Sequence, residues 1–109
     1  MSLGNMGKML KQVQKLQADM ARVQEELAQT RIEATAGGGV VRAVANGQAE
    51  LIELHIDPAA VDPSDVAMLQ DLVLAAVNEV QRKARALGED RMKEIAGSLQ
   101  IPKIPGLGF

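Results

Sequence analysis

The sequence predicts an α+β fold with a long N-terminal helix, a three-stranded antiparallel meander and a long C-terminal helix. Three observations carry that prediction. Apolar residues keep a heptad spacing over the first quarter of the chain, alternate every second residue between glycine-marked turns in the middle, and return to helical spacing after two Asp-Pro pairs.

The first helix is expected over residues 5–29. Met6, Met9, Val13, Leu16, Met20, Val23 and Leu27 are spaced 3, 4, 3, 4, 3, 4, the seam of a helix laid along another helix. Lys8, Lys15 and Arg22 repeat by sevens with Lys11 beside them, on the opposite, solvated face. At 1.5 Å per residue this helix is roughly 37 Å long.

The sheet is expected over residues 30–56. Thr30, Ile32 and Ala34 alternate with Arg31, Glu33 and Thr35, as in a half-buried strand. Gly37-Gly38-Gly39 ends it, a second strand covers residues 40–45, and Asn46-Gly47 predicts a two-residue type I′ hairpin turn. Residues 49–56 form the third strand, with Ile52, Leu54 and Ile56 on one face, and Asp57-Pro58 stops it.

Asp62-Pro63 reads as an N-cap followed by proline at the first helical position, which opens a second helix over residues 63–97. Its stripe is Leu69, Val73, Ala76, Val80, Ala84 and Leu87. After Gly88 the stripe shifts by about 100° to Met92, Ile95 and Leu99, predicting a kink or a change of packing partner. Residues 98–109, with two prolines and two glycines beyond residue 101, are expected as a flexible tail of one single domain.

Length then argues for association. A compact domain of 109 residues has a radius of gyration of about 13 Å, whereas a straight second helix would run about 50 Å. Val40 and Val44 are expected on one sheet face, Val41 and Ala43 on the other, so one helix layer would leave a face bare. A second subunit is the economical cover.

Composition excludes several classes. The chain has 47% apolar and 24% charged residues and no cysteine, which removes disulfide staples and thiolate metal sites. No run is long and apolar enough for a membrane span, and residues 1–15 lack the hydrophobic segment of a signal peptide. The net charge of −2 is unevenly distributed: residues 1–24 carry +3, residues 25–65 carry −6, and the remainder carries +1 with Arg82, Lys83 and Arg85 clustered. His55, the only histidine, has just Glu53 and Asp57 nearby and reads as an ordinary strand residue. The glycine run lacks the lysine of a phosphate loop, and Asp57, Asp62 and Asp65 lack calcium-loop spacing. No nucleophile has a base beside it, so an enzyme is not expected, and neither is a cofactor or metal. With Phe109 the only aromatic residue, base stacking on single strands has no platform.

The order and spacing of several segments resemble the YbaB/EbfC nucleoid-associated proteins of bacteria. They are Met6-Gly7-Lys8-Met9-Leu10-Lys11-Gln12, Gln14-Lys15-Leu16-Gln17, Ala36-Gly37-Gly38-Gly39-Val40-Val41 and Ile52-Glu53-Leu54-His55-Ile56-Asp57-Pro58. The most specific runs from Leu69-Gln70-Asp71-Leu72 through Val77-Asn78 to Lys83-Ala84, followed by Met92, Gly97 and Pro105-Gly106-Leu107. The resemblance implies a cytoplasmic, nucleoid-associated protein: a sheet-mediated homodimer whose projecting helical arms grip double-stranded DNA. The basic residues expected to touch phosphates are Lys8, Lys11, Lys15 and Arg22 on the first helix and Arg82, Lys83 and Arg85 on the second. Six to eight such contacts would make log affinity fall with log salt at a slope of about −5 to −7. The alternative is a protein-interaction module that uses the heptad seam without binding DNA.

Overall fold

The computed structural model describes residues 3–98, so the expected tail lies, from residue 99 onward, outside the described residues. Helix α1 (Leu3–Gln29) is followed by strands β1 (Arg31–Ala36), β2 (Val41–Asn46) and β3 (Leu51–Ile56), then by helix α2 (Val66–Ser98). The sheet is antiparallel in the order β1-β2-β3, and the α+β meander expected from the periodicity is the observed one.

α1 stops where its sequence turns β-branched and its end is tied off. The Thr30 hydroxyl donates to the Glu26 carbonyl at 2.7 Å and its amide to the Leu27 carbonyl at 3.2 Å. The glycine run joins β1 to β2 through one 3-10 turn in which Gly37, Gly38 and Gly39 all have positive φ, a conformation that residues with a Cβ rarely adopt.

The β2–β3 hairpin departs from the expected turn. Gly47 does not take a positive φ; that role falls to Ala49, at φ 66°. The Ala49 amide donates to the Asn46 carbonyl at 3.1 Å, so the loop is three residues long and ends in a left-handed residue. Gly47 is needed for another reason. A Cβ there would lie 2.8 Å from the Leu27 carbonyl oxygen and 3.0 Å from Leu27 Cα, and its amide donates to that carbonyl at 2.7 Å. The end of α1 is therefore seated directly on the hairpin backbone. Asn46, 6% exposed, is satisfied by the Gln48 and Glu50 amides at 3.0 and 3.1 Å and by the Glu50 carboxylate at 3.0 Å.

Asp62 and Pro63 precede α2 instead of opening it. Asp62 caps a turn, accepting from the Ser64 amide at 2.9 Å and hydroxyl at 2.7 Å. The helix begins at Val66, where Asp65 accepts from the Met68 amide at 3.3 Å as the N-cap. Two capable aspartates lie three residues apart, and the turn closed by the Asp65 amide on the Asp62 carbonyl at 2.9 Å selects the second.

α2 is a single helix past Gly88, and its stripe moves because its partner changes. Ala76 and Val80, with Leu69, Leu72, Val73 and Val77, pack on Ala34, Val41, Ala43 and Ala45 of β1 and β2. Burying Val41 and Val80 contributes roughly 1.5–3 kcal/mol each. Further on, Leu87, Met92 and Ile95 pack on Leu16, Val23 and Leu27 of α1. Lys83 and Arg91 fix the two halves: Lys83 Nζ donates to the Glu33 carbonyl at 3.2 Å, and Arg91 bonds Glu26 at 2.5 Å.

The other sheet face is not apolar, contrary to the two-faced reading. Val40 joins the helix-side core. The bare face carries Arg31 paired with Glu53, Arg42 with Glu33 at 2.8 Å, and His55 with Glu53 at 3.6 Å. Val44 on this face is apolar and fully buried, opposite Glu33 and Glu53 of the adjacent strands. The unpartnered apolar surface lies elsewhere. α2 lies over β1 and β2, leaving Leu51, Ile52, Leu54 and Ile56 of edge strand β3 at 36–45% exposure. The molecule measures 74 × 28 × 16 Å with a radius of gyration of 20.5 Å, far above the compact value of about 13 Å. The helices overreach the body, as their lengths require.

Candidate nucleic-acid interface

α1 is the arm of this molecule. Its C-terminal half is seated, with Val23 and Leu27 1% and 3% exposed and Leu16 packed against the same cluster. Lys8, Lys11 and Lys15 are all exposed on one side of the projecting part. At 100° per residue they fall within an arc of about 60°, and no ion pair or hydrogen bond holds them among the described residues. An uncompensated ammonium on a flexible stem is suited to a phosphate oxygen. Arg22 continues this line about 10 Å further but is engaged, 3.6 Å from Asp19 and 3.4 Å from Glu26.

The structure does not bring Arg82, Lys83 and Arg85 together as one patch. Arg82 is clasped by Glu79 through two bonds of 3.0 and 2.6 Å. That bond holds the Glu79 carboxyl below its usual range and raises the guanidinium further. Lys83 is spent on the Glu33 carbonyl. Of these three, only Arg85 has no ion pair or hydrogen bond among the described residues, and it lines a groove beside the hairpin. Lys83 leaves the helix in a different direction from Arg82 and Arg85, while Arg82 and Arg85, three apart on one side, are distinguished by the Glu79 partner that only Arg82 has.

Arg85 shares its surroundings with Lys93, which the sequence reading did not single out. Both line an open groove of about 850 Å³ between the hairpin and α2, with Leu27, Gly47, Gln48, Gly88 and Met92 among the other walls. Two turns of helix separate the two cations, a spacing that could have been read from the sequence. The Glu26–Arg91 link could not, because it joins residues 65 apart. Arg91, bonded also to Glu94 at 3.3 Å, holds the Glu26 carboxyl below its ordinary value, chiefly by hydrogen bonding. This ion pair bridges α1 and α2, which also meet through the cluster of Val23, Leu27 and Ile95.

His55 belongs to the ion-pair lattice of the bare sheet face, beside a Glu53 whose carboxyl is lowered by its bond to Arg31. Among the described residues no group of three or more His, Asp or Glu side chains could hold a metal ion. No described helix is long and apolar enough to cross a membrane.

The profile of the YbaB/EbfC DNA-binding family matches residues 2–99. The chain belongs to this family. It is 54% identical over 99 residues to a nucleoid-associated protein of Pelotomaculum thermopropionicum, covering 91% of this chain and 94% of that protein. It is also 55% identical over 102 residues to one of Moorella thermoacetica, covering 94% and 98%. The crystal structure of an uncharacterized protein from Helicobacter pylori, HP0035, superposes with a TM-score of 0.67 at 23% identity, over 93% of this chain and 99% of that one. That likeness concerns the fold. Membership in the YbaB/EbfC DNA-binding family makes DNA the expected partner.

Proposed function

We propose that this chain is a non-enzymatic, nucleoid-associated protein that binds double-stranded DNA as a homodimer through the basic side of α1. The observation that carries the reading is the line of exposed lysines, Lys8, Lys11 and Lys15, free of carboxylate partners on a helix that projects from an otherwise acidic body. Family membership supports DNA as the ligand. Edge strand β3 supplies the dimer contact: its Leu51, Leu54 and Ile56 share the sheet face that α2 covers only as far as β2. An unpaired edge bordered by apolar side chains is a template for a second copy. Arg85 joins the phosphate contacts from α2. Arg22 and Arg82 stay with their carboxylates, and Lys83 serves the fold.

Four cations per protomer give eight in a dimer, so log affinity should fall with log salt at a slope of about −7. Lys11→Glu with Lys15→Glu removes four of these and should bring the slope to about −4, for every duplex sequence tested. Fluorescence anisotropy at several salt concentrations measures this. An unchanged slope in a variant that remains folded would refute the arm assignment. The rival, a protein-interaction module, draws on the exposed apolar seam of α1 and predicts no salt-dependent retention on DNA by the unmodified chain.

A further inference from the structure

The heptad seam of α1 is only partly used by the fold. Val23 and Leu27 are buried against Leu87, Met92 and Ile95 of α2, and Leu16 packs on the same cluster. Met6, Met9, Val13 and Met20 remain 53%, 50%, 49% and 42% exposed, with Leu10 beside them at 60%. The row runs about 21 Å, on the side of the helix away from Lys8, Lys11 and Lys15. It cannot serve phosphates, and the DNA-binding reading gives it no work.

We infer that this exposed stretch is a homotypic pairing surface, on which the α1 helix of a second copy of this chain packs. Three features select that occupant. The 3-4 spacing holds without a break for seven positions. A straight helix drifts by about 20° per heptad against such a repeat, so the seam suits another helix that can follow it, not a sheet or a flat groove. The positions flanking the exposed stretch are Leu10, Gln12, Gln17 and Asp19. Asp19 is the only charge among them, so two copies bring no like charges together in parallel register, where flanking charges decide partner choice. Finally, the surface continues an existing helix–helix contact: the seam already packs on α2 at its C-terminal end, and the new partner extends the same packing.

The arrangement leaves the lysines of both helices pointing outward, away from each other. Pairing is separate from the β3 edge, so a chain that uses both surfaces builds an assembly larger than a dimer. The pairing itself needs no DNA. Its consequence, that one assembly holds two duplexes, rests on the DNA-binding role proposed above.

The chain has no cysteine, so single cysteines can report on the pairing in the full-length protein. Val13→Cys should form an intermolecular disulfide under mild oxidation much faster than Gln14→Cys, which lies off the seam. Equal rates, or no crosslinking at Met6→Cys, Met9→Cys, Val13→Cys and Met20→Cys alike, would overturn the proposal. A seam protected from thiol reagents without crosslinking would assign it to another part of the same chain and overturn it equally. Sedimentation supplies a second readout: the unmodified chain should shift to species heavier than a dimer as concentration rises, and Met9→Glu with Val13→Glu should hold it at the β3-edge dimer. Both positions are half exposed, so the double variant should fold. A biotinylated duplex should retain a second, labelled duplex through the unmodified chain and lose it with the seam variant, whose affinity for a single duplex stays unchanged. The Lys11→Glu, Lys15→Glu variant should lose both DNA signals yet keep the concentration-dependent shift, so failure of DNA binding and failure of pairing are told apart.

Discussion

Gly47→Ala tests the seat on which the arm is mounted. The added Cβ would lie 2.8 Å from the Leu27 carbonyl oxygen, 3.0 Å from Leu27 Cα and 2.7 Å from Leu27 Cδ2. The leucine tip can rotate away, but the backbone atoms cannot. Restoring ordinary contact requires the end of α1 to move by about 0.6 Å, and overpacking of this kind costs about 1–3 kcal/mol. The same movement weakens the 2.7 Å bond from the Gly47 amide to Leu27, worth about 1 kcal/mol. Together these amount to about 2–4 kcal/mol, or roughly 8–16 °C in Tm for a chain of this size, measured at fixed protomer concentration. There is also a lever. A 0.6 Å shift across one helical turn of 5.4 Å is a tilt of about 6°, and Lys11, about 24 Å along the helix, then moves by nearly 3 Å. DNA affinity should therefore drop further than the loss of folded protein explains. Thermal melting by circular dichroism, together with anisotropy titration well below the melting range, checks both parts. A variant that melts within about 2 °C of the unmodified chain would refute the close-approach argument for this glycine.

The remaining expectations concern the helices and their ionic links. Gly7→Ala, at an arm position where nothing lies within 4 Å of the added Cβ, should raise helicity and stabilise α1 by up to about 1 kcal/mol; a lower helical signal would count against a continuous helix there. Asp65→Ala removes the N-cap of α2 and should cost about 1 kcal/mol in chemical denaturation, whereas Asp62→Ala should leave the helical signal at its start unchanged. Glu26, Glu53 and Glu79 all have carboxyls held below their ordinary value of 4.5, each mainly by the hydrogen bond of an arginine. A depressed folded pKa means that the unfolded chain takes up protons first, so their stabilisation is present above the ordinary value and is lost as pH falls through the folded one. Urea midpoints should therefore decline on acidification below about pH 4.5, and Glu26→Gln should flatten part of that decline by removing the link to Arg91. An equal acid sensitivity in Glu26→Gln would show that the link carries none of it.

The candidate site was legible in part. Lys8, Lys11 and Lys15 could be placed on one face because they sit on a single uninterrupted helix, where 100° per residue turns spacing into direction. Arg82, Lys83 and Arg85 could not be sorted the same way. Their fates depend on Glu79 on the same helix, on a carbonyl of β1 some fifty residues away, and on the hairpin wall of a groove. Local spacing says which way a side chain leaves its own helix and says nothing of what meets it there.

The order of elements, the change of period at residue 30, the turn glycines and the mismatch between helix length and body size were all determined by the sequence, because each follows from short-range geometry: 3.6 residues per turn, two per pleat and a fixed rise per residue. The tertiary structure alone decided which of two aspartates caps α2, that Ala49 and not Gly47 takes the left-handed conformation, and that the bare sheet face is ionic while the sheet's open apolar surface is at the β3 edge. These are outcomes of competition between groups distant in the chain, settled by which carbonyl, carboxylate or side chain arrives at 3 Å, and no window of neighbouring residues contains that distance.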